Sequence, residues 1–189
     1  MINSLYDKFK PWSQNGSIWI ISDTHFNDED CHFMDAYWPE PQEHIDIINK
    51  YVQPSDTLIH LGDVGDFNLM NKIRARNKIL ITGNHDKPYL GQFVFNEIYN
   101  GPLFIADRII LSHEPIFGLE NFALNIHGHD HGSGDSVGHI NLASNIIGYI
   151  PVSLGTLIKG GFLSNIPNYH RLTIDWATEH GIKKEKTET

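Results

Sequence analysis

The segment LITGNHDKP, residues 80–88, sets Asn84, His85 and Asp86 directly behind a β-branched apolar run. Four other segments are built alike. SIWII leads into Asp23 and His25, TLIHL into Gly62 and Asp63, RIILS into His113, and FALNI into His127, Gly128, His129 and His131. Carboxylate, amide and imidazole groups are donors for hard and borderline divalent ions, and no thiolate stands among them. Asp23, His25, Asp63, Asn84, His113, His129 and His131 are more ligands than one tetrahedral ion takes. Shared between two divalent ions with one aspartate bridging, they give each ion four protein ligands and leave positions for water and substrate. Each residue alone has a simpler reading: Asp23 as a helix cap, Asp63 as a turn, Asn84 as a left-handed turn residue, any one histidine as a hydrogen-bonded structural group. None of these explains the seven together.

Such chemistry requires the tips to meet in space. The five runs are short and rich in Ile and Leu, as expected of strands buried on both faces. PQEHIDIINKYV carries Ile45, Ile48 and Val52 at helical spacing, with Pro41 suited to the first turn, and FNLMNKIRA predicts a second helix. Strand, helix, strand, helix, strand is the pattern of βαβ units. Residues 93–112 read as short strands joined at NGP and ADR, which predicts a second sheet. GHINLAS predicts a further strand, PVSLGTLIKG a short helix capped by Ser153, and YHRLTIDW a closing strand. Open α/β sheets gather ligands at the carboxyl ends of their strands, where all five tips would lie.

A chain of 189 residues is expected to form one domain, here residues 1–176, with a polar and frayed tail at 177–189. The single Cys31 excludes an internal disulfide and a thiolate-rich metal site. The opening MINSLYDKFKPW lacks a basic-then-apolar signal pattern, and no apolar run is long enough to span a bilayer. A soluble cytoplasmic protein without a membrane partner is therefore expected. A formal charge of −9 opposes attraction to nucleic-acid polymers and to anionic membranes, and two bound dications would leave it negative.

Asp23-x-His25, Gly62-Asp63, Gly83-Asn84-His85-Asp86, His113 and Gly128-His129-x-His131 resemble, in order, the five blocks of the calcineurin-like metallophosphoesterases. GHINLASNIIGYIPVSLGTLI is further similar to the ending of a small bacterial and phage branch of that family. The resemblance implies an α/β fold: a four-layer α-β-β-α sandwich of two mixed sheets flanked by helices, with the metal site at strand C-terminal ends. It implies that Asp23, His25 and His131 hold one ion, that Asn84, His113 and His129 hold the other, and that Asp63 bridges them. It assigns His85 a place beside the ions, donating a proton to the leaving group or a hydrogen bond to the phosphoryl oxygens, with Asp66 orienting it. The ions would be two among Mn, Fe, Zn, Co or Ni.

The implied reaction is hydrolysis of a small phosphoester by in-line attack of a hydroxide bridging cations roughly 3.5 to 4 Å apart. Phe67 follows Asp66 where protein serine/threonine phosphatases of this superfamily carry a phosphate-clamping arginine, which favours a phosphodiesterase over a phosphomonoesterase. A nuclease and a non-catalytic metal-binding scaffold are the readings from other classes. The first loop, DTHFNDED, offers Asn27 and Asp28 where the small branch has a histidine. His139 and Asn141 are candidates for substrate contact at the mouth, and His127 is a competitor as ligand. His44 and His60 are expected to be packed or solvated, and Trp19, Trp38, Phe67 and Tyr149 to be core or rim.

Overall fold

The computed structural model describes residues 3–4, 16–106, 108–167 and 179. Among the described residues, ten strands form two five-stranded sheets. In the first, β2 (Ile18–Ile21), β3 (Thr57–His60), β4 (Asn77–Ile81) and β5 (Glu97–Tyr99) run parallel, and β10 (Val152–Ser153) adds antiparallel to β2. The second has the order β1 (Asn3–Ser4), β6 (Leu103–Ala106), β7 (Ile109–Leu111), β8 (Leu124–His127) and β9 (His139–Asn141), all parallel pairs except β6 with β7.

Period-two alternation decides which face each residue serves. Ile18, Ile20, Ile59, Leu61, Ile79 and Ile81 pack against Leu103, Ile105, Leu111, Ile126 and Ile140 of the other sheet in one buried cluster. Ile21, Leu58 and Leu80 point the other way. They meet Ile45, Ile48 and Val52, contributed by and just after the helix α2 (Pro41–Tyr51), together with Phe67 and Met70. Because both faces are covered, the runs are mostly aliphatic and most of their reactive side chains stand at the exits; Asn125 within β8 is buried but bonded to the Ser112 hydroxyl at 2.9 Å. Three more short helices complete the flanks: α1 (Cys31–Met34), α3 (Pro88–Gly91) and α4 (Leu154–Lys159). The architecture is the expected α/β arrangement of two mixed sheets with flanking helices.

Three local expectations change. FNLMNKIRA forms only a 3-10 helix, Phe67–Lys72, because buried Ile73 and Ala75 draw the chain into an extended path toward β4. Residues 93–112 do not lie in one sheet: β5 joins the first, parallel to β4, and the turn at Gly101, with φ of 117°, sends β6 into the second. Ser153 precedes α4, but its side chain makes no capping hydrogen bond. The predicted closing strand and the polar tail fall outside the described residues.

His44 of α2 is packed, not solvated. It is 1% exposed, lies 5.5 Å from the Phe26 ring and 5.4 Å from the Tyr149 ring, and neither ring nitrogen has a hydrogen-bond partner among the described residues. Burial pushes its pKa down to about 4. The folded value lies below the unfolded one, so the stability tied to the neutral ring is complete above about pH 6.5 and is lost as pH falls toward 4. Between pH 7 and pH 5, His44→Leu should lose up to about 2 kcal/mol less stability than the parent. Urea midpoints at the two pH values measure this, and equal losses would refute it.

Candidate metal centre

The two sheets are pinched together where their strands exit. Ser22, just past β2, forms a parallel bridge with Ala143, just past β9. Ser22 N–H donates to the Leu142 carbonyl at 3.1 Å, and Ser144 donates to the Ser22 carbonyl through its N–H at 3.1 Å and its hydroxyl at 2.6 Å. The β2 and β3 tips are joined by Asp23 N–H to the Gly62 carbonyl at 2.9 Å and His25 N–H to the Asp63 carbonyl at 3.1 Å. From the second sheet, His129 N–H donates to Asp23 Oδ2 at 3.0 Å.

The backbone is strained at this junction. Asp23, His25, Asp63 and His129 all have left-handed φ, at 55°, 42°, 56° and 68°. Each such non-glycine residue costs of order 1–3 kcal/mol and persists only where its surroundings dictate it. Close approach also fixes two glycines. A Cβ on Gly83 would lie 2.2 Å from Asp63 Oδ1, and one on Gly128 would lie 2.0 Å from Ser22 Oγ and 2.2 Å from Asp23 Oδ2.

These contortions bring acceptor atoms face to face. His113 Nδ1 donates to the Leu61 carbonyl at 2.9 Å, so the neutral ring aims the lone pair of Nε2 inward. There it meets Asn84 Oδ1 at 2.9 Å, His129 Nδ1 at 3.2 Å and Asp63 Oδ2 at 3.3 Å. His129 Nδ1 is also 3.1 Å from Asn84 Oδ1. On the other side, Asp28 Oδ2 takes the His25 Nδ1 proton at 3.0 Å and Asn145 Oδ1 takes that of His131 at 2.9 Å. Nε2 of each ring is thereby turned toward a carboxylate: His25 to Asp63 Oδ2 at 3.9 Å, His131 to Asp23 Oδ1 at 3.7 Å. Asp23 Oδ1 and His25 Nε2 are buried without any hydrogen-bond partner among the described residues. Orphaned buried acceptors are expensive unless a cation joins them.

Donor atoms of Asp23, His25 and His131 lie within 4.8 Å of one another, and so do those of Asp63, His113 and His129. Oxygen and imidazole donors in two adjoining groups, with Asn84 beside the second, suit a pair of divalent ions.

Without ions, protons respond to the same crowding. Burial pushes the Asp63 carboxyl up, but the His113 ring, the His85 amide and the His25 ring outweigh it and bring the pKa down to about 2. Burial pushes His113 down, but its contact with Asp63 and the nearby Asp23 charge leave its pKa raised. His60, fully buried, is driven down to about 3 and is a structural group, bonded to Thr24 Oγ1 at 3.0 Å and to the Gly62 amide at 3.1 Å.

All seven expected donors gather here; other expected site residues do not. Asp66 does not orient His85. Its carboxylate accepts from the Asn68 amide at 3.0 Å and from Asn27 Nδ2 at 3.0 Å, because it starts the 3-10 helix and an unfilled helix N-terminus draws a carboxylate strongly. His139 and Asn141 do not line the groove. Both are buried: His139 Nε2 faces Glu120 Oε1 at 3.3 Å, and Asn141 Nδ2 donates to the Asp130 and Ser133 carbonyls at 2.6 Å, bracing the loop that carries His131. His127 is turned away as well, with Nδ1 against the Gly128 carbonyl at 2.8 Å. His85 is exposed in the groove, its ring centroid 5.8 Å from that of His25.

Four residues matter more than their sequence context indicates. Asp86 accepts from the amides of Gly83, Asp63 and Val64 at 2.8–2.9 Å, tying the β3 and β4 tips together. Asp28 and Asn145 set the two histidine tautomers. Trp38 is buried with its ring 5.8 Å from His25 and 5.9 Å from His131. Asp28, three residues after His25, and Asp86, within the Gly83-Asn84-His85-Asp86 block, carried a signal in the sequence.

The calcineurin-like phosphoesterase family profile matches residues 16–185, and the chain belongs to that family. It is therefore a metal-dependent phosphoester hydrolase, of a family that works with two divalent ions. The crystal structure of a protein of unknown function from Aquifex aeolicus is similar to it, with 27% identity, a TM-score of 0.62, and 76% of this chain and 98% of that one covered. Nothing among curated proteins matches.

Two outcomes follow from the crowding. Chelated protein titrated with Zn or Mn should gain thermal stability, about 2.7 kcal/mol at a hundredfold excess over Kd. The apparent affinity should weaken from pH 8 to pH 6, because the raised pKa of His113 means that a proton must be displaced there. Calorimetric titration at pH 8, 7 and 6 reads this, and a flat affinity would contradict it. Gly128→Ala should lose metal and about 1–3 kcal/mol of stability, whereas Gly134→Ala, with open space around its Cβ, should lose neither. Metal analysis and urea unfolding of both variants check the contrast.

Proposed function

We propose that the protein is a dinuclear phosphodiesterase acting on a small soluble phosphoester. Asp23, His25 and His131 would hold one ion and Asn84, His113 and His129 the other, with the Asp63 carboxylate placed between the two groups. The observation that supports this most directly is the convergence of Asn84 Oδ1, His129 Nδ1 and Asp63 Oδ2 on His113 Nε2 at 2.9–3.3 Å, a set of oxygen and imidazole donors suited to a divalent ion. Bound divalent ions supply positive charge to the phosphoryl oxygens and lower the pKa of a coordinated water.

The chain's own groups provide positioning and proton traffic. The His85 amide holds Asp63 Oδ1 at 3.0 Å, which leaves Oδ2 to face the histidines. The His85 ring has no hydrogen-bond partner among the described residues, so it is free to give a proton to the departing ester oxygen. Among the described residues no lysine or arginine lines the groove, whereas Asp28 and Asp30 do. A dianionic monoester would lack a guanidinium clamp there and meet two carboxylates, while a diester brings a single negative charge. Long polyanions are opposed by the net charge of −9.

Bis(p-nitrophenyl) phosphate should be hydrolysed faster than p-nitrophenyl phosphate by protein loaded with Mn, Ni or Zn. Turnover of neither ester with any metal would favour a scaffold, and digestion of long nucleic acid on a gel would favour a nuclease. His85→Asn should lower kcat by about 10²–10⁴ with metal content unchanged. Undiminished turnover in that variant would remove the proton-donor assignment.

A further inference from the structure

The groove beside the candidate metal donors has a volume of about 430 Å³, and part of its lining belongs to neither the ligand set nor His85. Phe33 and Met34, on the four-residue α1, contribute an apolar section. Phe33 is 90% exposed. A single exposed aromatic is ordinary on a protein surface, but here the ring borders a polar catalytic groove and adjoins a thioether.

Its platform is held in place. Asp28 bonds His25 at one end of the segment, Trp38 packs on His25 and His131 at the other, and Cys31 is buried between them. Asp35 Oδ2 accepts from the Tyr149 hydroxyl at 2.6 Å, and the Tyr149 ring stands edge-on to Trp38 at 5.5 Å. Phe33 therefore projects from a braced turn beside the candidate centre, so only its own side chain, and not the loop, has to be ordered when a planar group arrives.

We propose that Phe33, with Met34, determines specificity by stacking the base of a nucleoside esterified to the phosphodiester. This rests on the phosphodiesterase reading and names its substrate class. The groove's own composition supports the choice of occupant. The ligand set takes the phosphoryl group, the lining carboxylates disfavour a second negative charge, and among the described lining residues Phe33 is the one carbocyclic ring and Met34 the one thioether.

The test compares two diesters that share a p-nitrophenol leaving group, thymidine 5′-(p-nitrophenyl phosphate) and methyl p-nitrophenyl phosphate, with the Mn-loaded enzyme. The parent should prefer the thymidine ester by about tenfold in kcat/KM, mostly through KM. Phe33→Ala should bring the ratio close to one, Phe33→Trp should keep it, and Tyr37→Ala, exposed on the same segment but outside the groove lining, should leave it unchanged. A parent without preference, or a preference that survives Phe33→Ala, overturns the role of Phe33 and leaves the phosphodiesterase reading standing. If the parent cleaves neither ester, that reading fails. Calorimetric titration of the metal-loaded protein with thymidine 5′-methyl phosphate then decides Phe33 alone: about tenfold weaker binding in Phe33→Ala supports the stacking role, and equal affinity overturns it.

Discussion

Atoms rich in lone pairs repel when crowded, and here Asn84 Oδ1, His129 Nδ1 and Asp63 Oδ2 all stand within 3.3 Å of His113 Nε2. No relaxed loop would adopt such an arrangement. It survives because every element around it removes a way of escape. Asp86 clamps three amides of two strand tips, the Leu61 carbonyl, Asp28 and Asn145 fix three ring orientations, and the glycines at 83 and 128 let neighbouring backbone approach the carboxylates closely. The strain in four left-handed residues belongs to the same constraint.

The aliphatic sandwich makes that strain sustainable. Two sheets with interlocked Ile and Leu side chains cannot slide without opening cavities, so the packing fixes the strand exits relative to one another independently of the polar contacts. The Ser22–Ala143 bridge then closes the gap between sheets at one end only. Donors separated by up to about a hundred residues of chain, such as Asp23 and His129, come within a hydrogen bond because their strands end at that closure.

What was legible in the sequence follows from this division. The five aliphatic runs and their polar tips are local patterns, and the donors they present converge as expected. Features decided by competition between neighbours were not legible. Asp66 and Asp86 look alike as carboxylates near the histidine, yet the open end of a 3-10 helix drew the first and a cluster of three amides drew the second. Nothing local marks β5 as a member of the first sheet, since its partner β4 is reached only after α3 turns the chain back. Asn145 lies fourteen residues from the ring it orients, in a loop whose path depends on the pinch.

The two halves of the centre are held by different means, and the difference has an electrostatic origin. Around His113 the acceptors are close enough for a single proton shared with Asp63 to relieve part of the repulsion, which explains why burial fails to lower the histidine's pKa and fails to raise the aspartate's. Around Asp23 the corresponding separations are 3.7 Å and 3.9 Å, too long for a proton to bridge well, and Asp23 Oδ1 and His25 Nε2 stay orphaned. Only a group larger than a proton can satisfy both at once. The half around Asp23 is also the half tied to α1 through Asp28 and Trp38. The side of the centre that most needs a cation is thus the side joined to the apolar rim of the groove.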